Sequence, residues 1–536
     1  MRLPAQPFGL LLPLLVLSLM TFLGYTQWAL DGWDSMAYIY AGRQLANGQG
    51  LAMTDPNNAS IGPYFGLSGY RLRREPGPRL YLTFPPGFPL LLALAQVLAD
   101  TPDAAFAVVP LLALLTAVAT FALAKTLFDV WVGWAAVALL VFTPTFLTFA
   151  TAPWSDVPAT AFILAGVVLF VKAQRTNLAR RAAFLGALAG LCIGYSGFTR
   201  TVSLLAGPAL LAYGWYYQRR QITHPANSAF AVLWGLGTLG VLIFNRVYYG
   251  GWLASGYTFE NSGYNWPFFS LSYALGPSPA GGYSLIAAAQ TLARDFSLLL
   301  VPAVLGLGTM PRQAAILLVG VGGALVAPYS IYAFAPTGIN ARFLLPAYPL
   351  LALAVAYGLS WIVGRLAPCY RDMALLVTTT LSVLVLLQPW TSLERLAERN
   401  RNYARMAASI QELIADTPPD AVFLAYSLGD LLFFYGGRSV LYYRHMSRPE
   451  RPDGSSRPVE ERLTEAVDKL LARGTPVYFV DDTQPSLWNV SSILRRHYQL
   501  RLYRTDPPIY QVERLASGEG RIAPFTLLGF IGSSRS

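Results

Sequence analysis

The chain has 536 residues, of which 54% are hydrophobic and only 12% charged, with a net charge of +11 and a mean hydropathy of +0.43. A soluble domain carries charge on roughly a quarter of its residues, so a wholly soluble chain is excluded. The positive charge does not point to nucleic acid either. It is concentrated in short connections between apolar runs (Lys172, Arg175, Arg180 and Arg181; Arg219 and Arg220; Arg365 and Arg371), which is how cytoplasmic loops look.

Apolar runs of about 18 or more residues must hide their backbone amides from hydrocarbon and therefore read as transmembrane helices. The first, 8–26, follows Arg2 and has no small-residue cleavage site after it, so it is expected to be a retained anchor and not a removed signal peptide. Next comes a long polar loop, 27–103, which contains the apolar stretch Gly87–Ala99. That stretch is shorter than the roughly 20 residues a span needs. If it crossed, the Lys172–Arg181 cluster would lie outside, so it is expected to be an interfacial or re-entrant helix. Further spans are predicted near 104–126, 130–152, 156–173, 180–197, 200–217, 226–248, 294–311, 314–334, 341–364 and 371–390. About 11 spans result. An odd number puts the N-terminus in the cytoplasm and the C-terminal part outside, together with the loops 27–103 and 249–293 and the turn at Trp154–Asp156.

Beyond residue 390 the pattern changes. Leu393–Ile414 has helical spacing and many charges, Ala421–Ser427 and Pro476–Val480 read as strands, and Val459–Arg473 is an amphipathic helix acidic at its start and basic at its end. Strand, helix, strand suggests a small α/β domain with a parallel sheet. The expected organisation is thus a polytopic α-helical membrane domain, 1–390, and an extracytoplasmic α/β domain, 391–536. Cys192 and Cys369 lie far apart in sequence and imply no disulfide framework. His224, His445 and His497 show no metal-ligand spacing.

The first outer loop carries the densest candidates for chemistry. It opens with Asp31-Gly32-Trp33-Asp34-Ser35, and Tyr38, Ala41 and Leu45 follow Asp34 at helical spacing. Asp34 therefore starts a short amphipathic helix, either as an N-cap or facing a cavity at the membrane surface. The loop continues with Tyr64, Tyr70, Arg71, Arg73, Arg74, Tyr81 and Phe84, and ends in the rigid Pro85-Pro86-Gly87-Phe88-Pro89. Asp156, with Pro158 just inside the same span, is an N-cap or a second acid on the same side as Asp34. Asp31 is the fallback acid. Arg342 and Arg200 fall at the outer edges of predicted spans, where Arg342 reads as an interfacial arginine that reaches for water or part of a site, and Arg200 as a turn residue or part of a site. Tyr257, Glu260, Asn261, Tyr264 and Trp266 would suit sugar stacking or a membrane belt, and Asp481-Asp482 ends a predicted strand.

The order of these features resembles the GT-C glycosyltransferases. The resemblance lies in Asp34…Tyr38 past the first span, Gly48 and Gly50, the Pro-Pro segment, Ser155-Asp156-Val157-Pro158, Gly197-Phe198-Thr199-Arg200 and Arg342-Phe343-Leu344-Leu345-Pro346. It spans most of residues 25–365 and is similar above all to the branch that holds the protein O-mannosyltransferases and the aminoarabinose transferases of lipid A. Ser35 stands where relatives often have a second acid, and Thr83 and Phe84 where some have Lys or Glu.

The resemblance implies a polyprenyl-phosphate sugar as donor and a protein, lipid or glycan hydroxyl as acceptor, joined at the outer face by an inverting displacement. Asp34 and Asp156 would be the catalytic acids, Arg342 and Arg200 would hold the lipid phosphate, and Asp31, Tyr38, Arg71 and Tyr81 would be loop candidates for substrate binding. A carboxylate suits deprotonation of a hydroxyl, and arginine suits a phosphate through its permanent charge and paired donors. No cofactor is called for. A divalent metal ion between Asp34 and Asp156 stays open. The expected partners are the lipid-linked donor, the acceptor and membrane lipids, with no nucleic acid, and the expected location is a bacterial inner (plasma) membrane. A transporter or flippase of a lipid-linked precursor is the alternative, although the paired half-repeats and midplane polar residues of transporters are not evident.

Overall fold

The computed structural model describes residues 8–30, 33–72, 78–218, 224–257, 267–279, 281–386, 390–446, 457–482 and 490–515. Seven helices there are long and apolar enough to cross a membrane: Ala104–Leu127, Asp156–Arg175, Ala179–Thr199, Pro225–Tyr249, Ser284–Thr309, Arg312–Ile331 and Gly338–Leu366. A further pair, Val130–Val141 and Pro144–Ala150, is apolar enough taken together but bends by 71°, at a proline that opens the second piece. The residue before a proline avoids helical geometry, and Thr143 is accordingly extended. The remaining predicted spans fall on the shorter helices Phe8–Gly24, Ala206–Tyr217 and Arg371–Leu386.

Between spans there is no hydrophobic drive to associate, because lipid is as apolar as leucine, so small residues and close backbone approach take over. Gly186, Gly190 and Gly194 recur every fourth position along Ala179–Thr199. A methyl group at Gly190 would sit 2.4 Å from the Phe230 carbonyl oxygen and one at Gly194 3.0 Å from the Gly237 Cα. This stripe lets the helix lie directly against Pro225–Phe244.

The span expected at 294–311 begins about ten residues earlier, as the amphipathic helix Ser284–Phe296, and kinks at Ser297, whose φ is +48°. Its buried face is built from small and polar residues, Ser284, Ala287, Ala288, Thr291 and Asp295. Mean apolarity therefore does not reveal it.

The region between the first two predicted spans folds into the helix Trp33–Ala46, a three-stranded antiparallel sheet of Met53–Thr54, Tyr70–Leu72 and Arg79–Leu82, and the helix Gly87–Ala99. That last helix has 13 residues and packs on Trp33–Ala46, where Gly42 meets Leu92.

The C-terminal part starts with the helix Trp390–Ala415 and continues into a five-stranded sheet. Across the sheet the strands run Ser439–Tyr442, Val422–Ala425, Val477–Val480, Pro508–Arg514 and Tyr498–Thr505. The first three are parallel, as strand-helix-strand order predicts, with Val459–Ala472 as the crossover helix; the last two form an antiparallel hairpin.

This sheet is fastened to the first loop. Phe65 bridges Leu441, the Tyr442 N–H donates to the Tyr64 carbonyl at 3.0 Å, and the Ser439 hydroxyl donates to Asp55 at 2.8 Å. Asp430 accepts the Ser68 N–H at 2.7 Å and also binds the Ser68 hydroxyl. Phe433 packs on Tyr40 at 5.3 Å, Arg43 lies 4.6 Å over Phe434, and the Leu30 N–H donates to the Tyr435 hydroxyl at 2.5 Å.

Candidate active site

Asp34 occupies the first turn of Trp33–Ala46. One turn on, Tyr38 is buried between Phe84 and Phe88, with ring centroids 4.6 and 5.0 Å away, and its hydroxyl is 3.0 Å from the Ser155 Oγ. Burial, reinforced by the Asp34 charge, pushes the Tyr38 hydroxyl well above the ordinary phenol range. Tyr38 is thus a neutral spacer and hydrogen-bonding group next to Asp156.

Asp156 begins the helix Asp156–Arg175. It does not act as a cap: Ser155 is the N-cap residue, and the Asp156 carboxylate forms a salt bridge with Arg200. Arg200 sits where Ala179–Thr199 ends and a short 3-10 turn, Thr201–Leu205, begins. It also donates to the Tyr329 hydroxyl at 3.1 Å and lies 5.0 Å over the Phe343 ring.

Arg342 is carried by a 3-10 segment, Gly338–Ala347, that leads into the helix Tyr348–Leu366; Pro346 lies inside the segment and Pro349 just beyond it. The segment is pinned at its end by Tyr348, whose hydroxyl donates to the buried Asp295 at 2.5 Å, while Arg294 Nε donates to Asp295 at 3.0 Å. Arg342 Nη2 donates to Asp34 Oδ2 at 3.0 Å, and its Nε stands 3.9 Å from Asp156 Oδ2. Its guanidinium stacks 3.8 Å over Trp154.

Two carboxylates and two guanidiniums, drawn from four distant segments, therefore form one cluster with no net charge. Arg342 bridges the two acids. Neither arginine turns outward to solvent, the side chains of Arg342 and Arg200 being 11% and 18% exposed, although Arg200 does stand at a turn. Side-chain exposure separates the acids: Asp34 is 24% exposed and Asp156 1%. Asp34 is the more accessible acid, and Asp156 is the buried counter-charge that both arginines share.

The other candidates are placed differently. Arg71 and Tyr81 are paired across the outer hairpin, with Arg71 donating to the Ser68 and Tyr70 carbonyls and Tyr81 packed 5.1 Å from Tyr248. Tyr257 lies 6.1 Å from Phe84, the ring that also packs on Tyr38. Asp31, Arg73, Arg74, Glu260, Asn261, Tyr264 and Trp266 lie outside the described residues. Asp482 accepts the Tyr426 and Leu428 N–H groups at 3.1 and 2.7 Å, so it ties the end of one strand to the loop after its neighbour. Among the described residues no three His, Cys, Asp or Glu side chains converge to hold a metal ion, and the cation between Asp34 and Asp156 is Arg342 itself. Sequence reading missed Trp154 as a stacking partner and Asp295 and Tyr348 as the pin. Their contacts join positions from 53 to 188 residues apart, and no local pattern announces them.

Residues 92–252 match the family of dolichyl-phosphate-mannose-protein mannosyltransferases. No curated protein sequence matches. Among solved structures, the chain is similar to ArnT from Cupriavidus metallidurans bound to undecaprenyl phosphate, with 13% identity and a TM-score of 0.60 over 96% of this chain and 99% of that one. It is also similar to the oligosaccharyltransferase AglB from Archaeoglobus fulgidus in complex with an inhibitory peptide and a dolichol-phosphate, with 12% identity and a TM-score of 0.54 over 93% of this chain and 74% of that one. The chain is an integral membrane protein with the fold of the GT-C glycosyltransferases.

Proposed function

We propose that the protein transfers a sugar from a polyprenyl-phosphate donor to an acceptor hydroxyl at the outer face of the membrane, by a single displacement that inverts the anomeric carbon. The observation that carries this reading is Arg342 bridging Asp34 and Asp156 at 3.0 and 3.9 Å. That arrangement sets an accessible carboxylate beside a guanidinium that can receive a phosphate. The acceptor oxygen attacks the sugar C1 from the face opposite the phosphate, and its proton passes to Asp34. The bond from C1 to the phosphate oxygen breaks, and its electron pair leaves with the polyprenyl phosphate. Arg342 and Arg200 stabilise the developing negative charge, which a preorganised, water-poor site does well. Asp156 keeps both guanidiniums in position. The N-terminus lies in the cytoplasm of a bacterial cell and the domain 391–536 outside the inner membrane.

The test is release of label from a radiolabelled polyprenyl-phosphate hexose in membranes, for the native chain and for Asp34→Asn. Release by the native chain alone supports both the reaction class and the residue. Equal release by both removes Asp34 from the chemistry. No release by either, across several sugars, favours movement of the lipid-linked precursor over its chemistry.

A further inference from the structure

The helix Trp390–Ala415, which opens the C-terminal part, sets Arg399 and Asn400 against the membrane domain. The Asn400 side-chain amide donates to the carbonyls of Tyr25 and Thr26 at 2.9 and 3.0 Å, just beyond the end of the helix Phe8–Gly24. Arg399 donates from Nη1 to the Thr148 carbonyl at 3.4 Å and from Nη2 to the Thr151 hydroxyl at 3.2 Å. The same guanidinium donates through Nε and Nη2 to Asn400 Oδ1, each at 3.3 Å. The two side chains thus form one hydrogen-bonded unit with a branch to each of two segments.

Those segments are the approaches to the two acids. Thr26 precedes Asp34 by eight residues, and Thr151 precedes Asp156 by five and Trp154 by three. They are also joined directly, the Gln27 N–H donating to the Thr151 carbonyl at 2.7 Å. The junction is dry, with Thr26, Gln27 and Thr151 2%, 1% and 0% exposed. Buried carbonyls need a donor, but an asparagine that served that need alone would have no use for a second branch. The same helix also supports the Asp34 approach at another point. Gln411 donates to the Tyr435 carbonyl, and the Tyr435 hydroxyl accepts the Leu30 N–H at 2.5 Å.

We propose that Arg399 and Asn400 are positioning residues for the transfer reaction. They clamp the segment that leads to Asp34 against the one that leads to Trp154 and Asp156, and so set the spacing of the two acids that Arg342 spans at 3.0 and 3.9 Å. A misplacement of about 1 Å in a reacting geometry can lower a rate on the order of 100-fold, so a clamp outside the site acts on the chemistry within it. The inference rests on the transferase reading, while the clamp itself is measurable without activity.

The test follows hydrogen exchange by mass spectrometry in the full-length protein in nanodiscs, beside transfer from a polyprenyl-phosphate hexose. Asn400→Asp keeps the size of the side chain and its acceptor for Arg399, but turns a donor into an acceptor facing two carbonyls. Arg399→Leu removes the branch to Thr148 and Thr151. Each variant is expected to exchange faster in both segments, 25–34 and 148–156. Each should also lose about tenfold or more in kcat per folded molecule, with the donor KM within about threefold of the native value. A pair that served stability alone would lower the melting temperature and leave kcat per folded molecule unchanged, and that result would overturn the proposal. So would exchange that stays at the native rate in both segments. If the native chain releases no label, the transferase reading has failed instead, and the exchange comparison alone decides the clamp.

Discussion

Replacing Arg342 by lysine keeps the charge and removes the geometry, which makes it a sharper probe than alanine. Alanine would take the cation away from Asp34 and leave Asp156 to Arg200 alone, and so risk the fold as well as the chemistry. Lysine offers one compact ammonium and cannot span from Asp34 at 3.0 Å to Asp156 at 3.9 Å while lying flat on Trp154 at 3.8 Å. A charge-assisted hydrogen bond contributes about 1.5–3 kcal/mol, and a partly desolvated cation over an indole about 1–2 kcal/mol. Lysine recovers part of the first and little of the second. The expected loss of transition-state stabilisation is therefore about 3 kcal/mol, a fall of roughly 150-fold in transfer rate. The assay is label transfer from polyprenyl-phosphate hexose in membranes, normalised to folded protein by size-exclusion chromatography. A folded Arg342→Lys variant within about threefold of the native rate would refute the claim that the guanidinium bridge carries the leaving charge.

Other consequences can be tested separately. Asp156→Asn strips Arg200 of its buried counter-charge and should cost about 3–5 kcal/mol. In thermal melts the double variant Asp156→Asn/Arg200→Gln should be less destabilised than the sum of the singles, and strict additivity would show that the pair is not coupled. At Gly358 an added methyl group would lie 1.8 Å from the Pro302 carbonyl oxygen. Gly358→Ala should thus push two spans apart at a cost of about 1–3 kcal/mol, and an unchanged melting temperature would contradict that close contact. Asp430→Ala leaves the buried Ser68 N–H without its carboxylate and should weaken docking by about 1.5–3 kcal/mol, read as faster limited proteolysis of residues 391–515. A phosphatase that is active only outside the cytoplasm, fused after residue 515, should be active in cells; an inactive fusion would reverse the proposed orientation.

Much of the architecture is legible in the sequence because hydrocarbon is an unforgiving solvent. A run such as 104–126 has almost one solution, and counting crossings then places Asp34 and Asp156 on one side before any fold is known. The pairing of those acids with Arg342 and Arg200 is not legible from spacing, since the four side chains come from segments up to 308 positions apart. They are legible through the resemblance to the GT-C family, with which their position at span ends agrees. The helix Ser284–Phe296 was missed from Ser284 to Ala293 because its inward face is alanine, serine and threonine, which score as neither core nor surface. Its Asp295, buried and bonded to Tyr348, looks in sequence like the charged edge of a span. The C-terminal hairpin Tyr498–Arg514 was missed for a related reason. Its first strand is largely exposed and basic, and in its partner strand the buried residues Ile509 and Val512 stand three positions apart, so neither strand shows the alternation of a half-buried element.

The clasp between the first outer loop and the last sheet has a consequence for how the protein is made. Leu30, four residues before Asp34, is held by Tyr435, and Ser68 by Asp430, across 405 and 362 positions. A ribosome delivers the early partner of each pair long before the late one exists. The loop that bears Asp34 must therefore wait, with the edge it will give to Leu441 uncovered, until residues 430–442 have been made. Contacts of such long range close last. A chain cut short after the helix Arg371–Leu386 would thus have all the apolar helices in place and still lack the support under its first carboxylate.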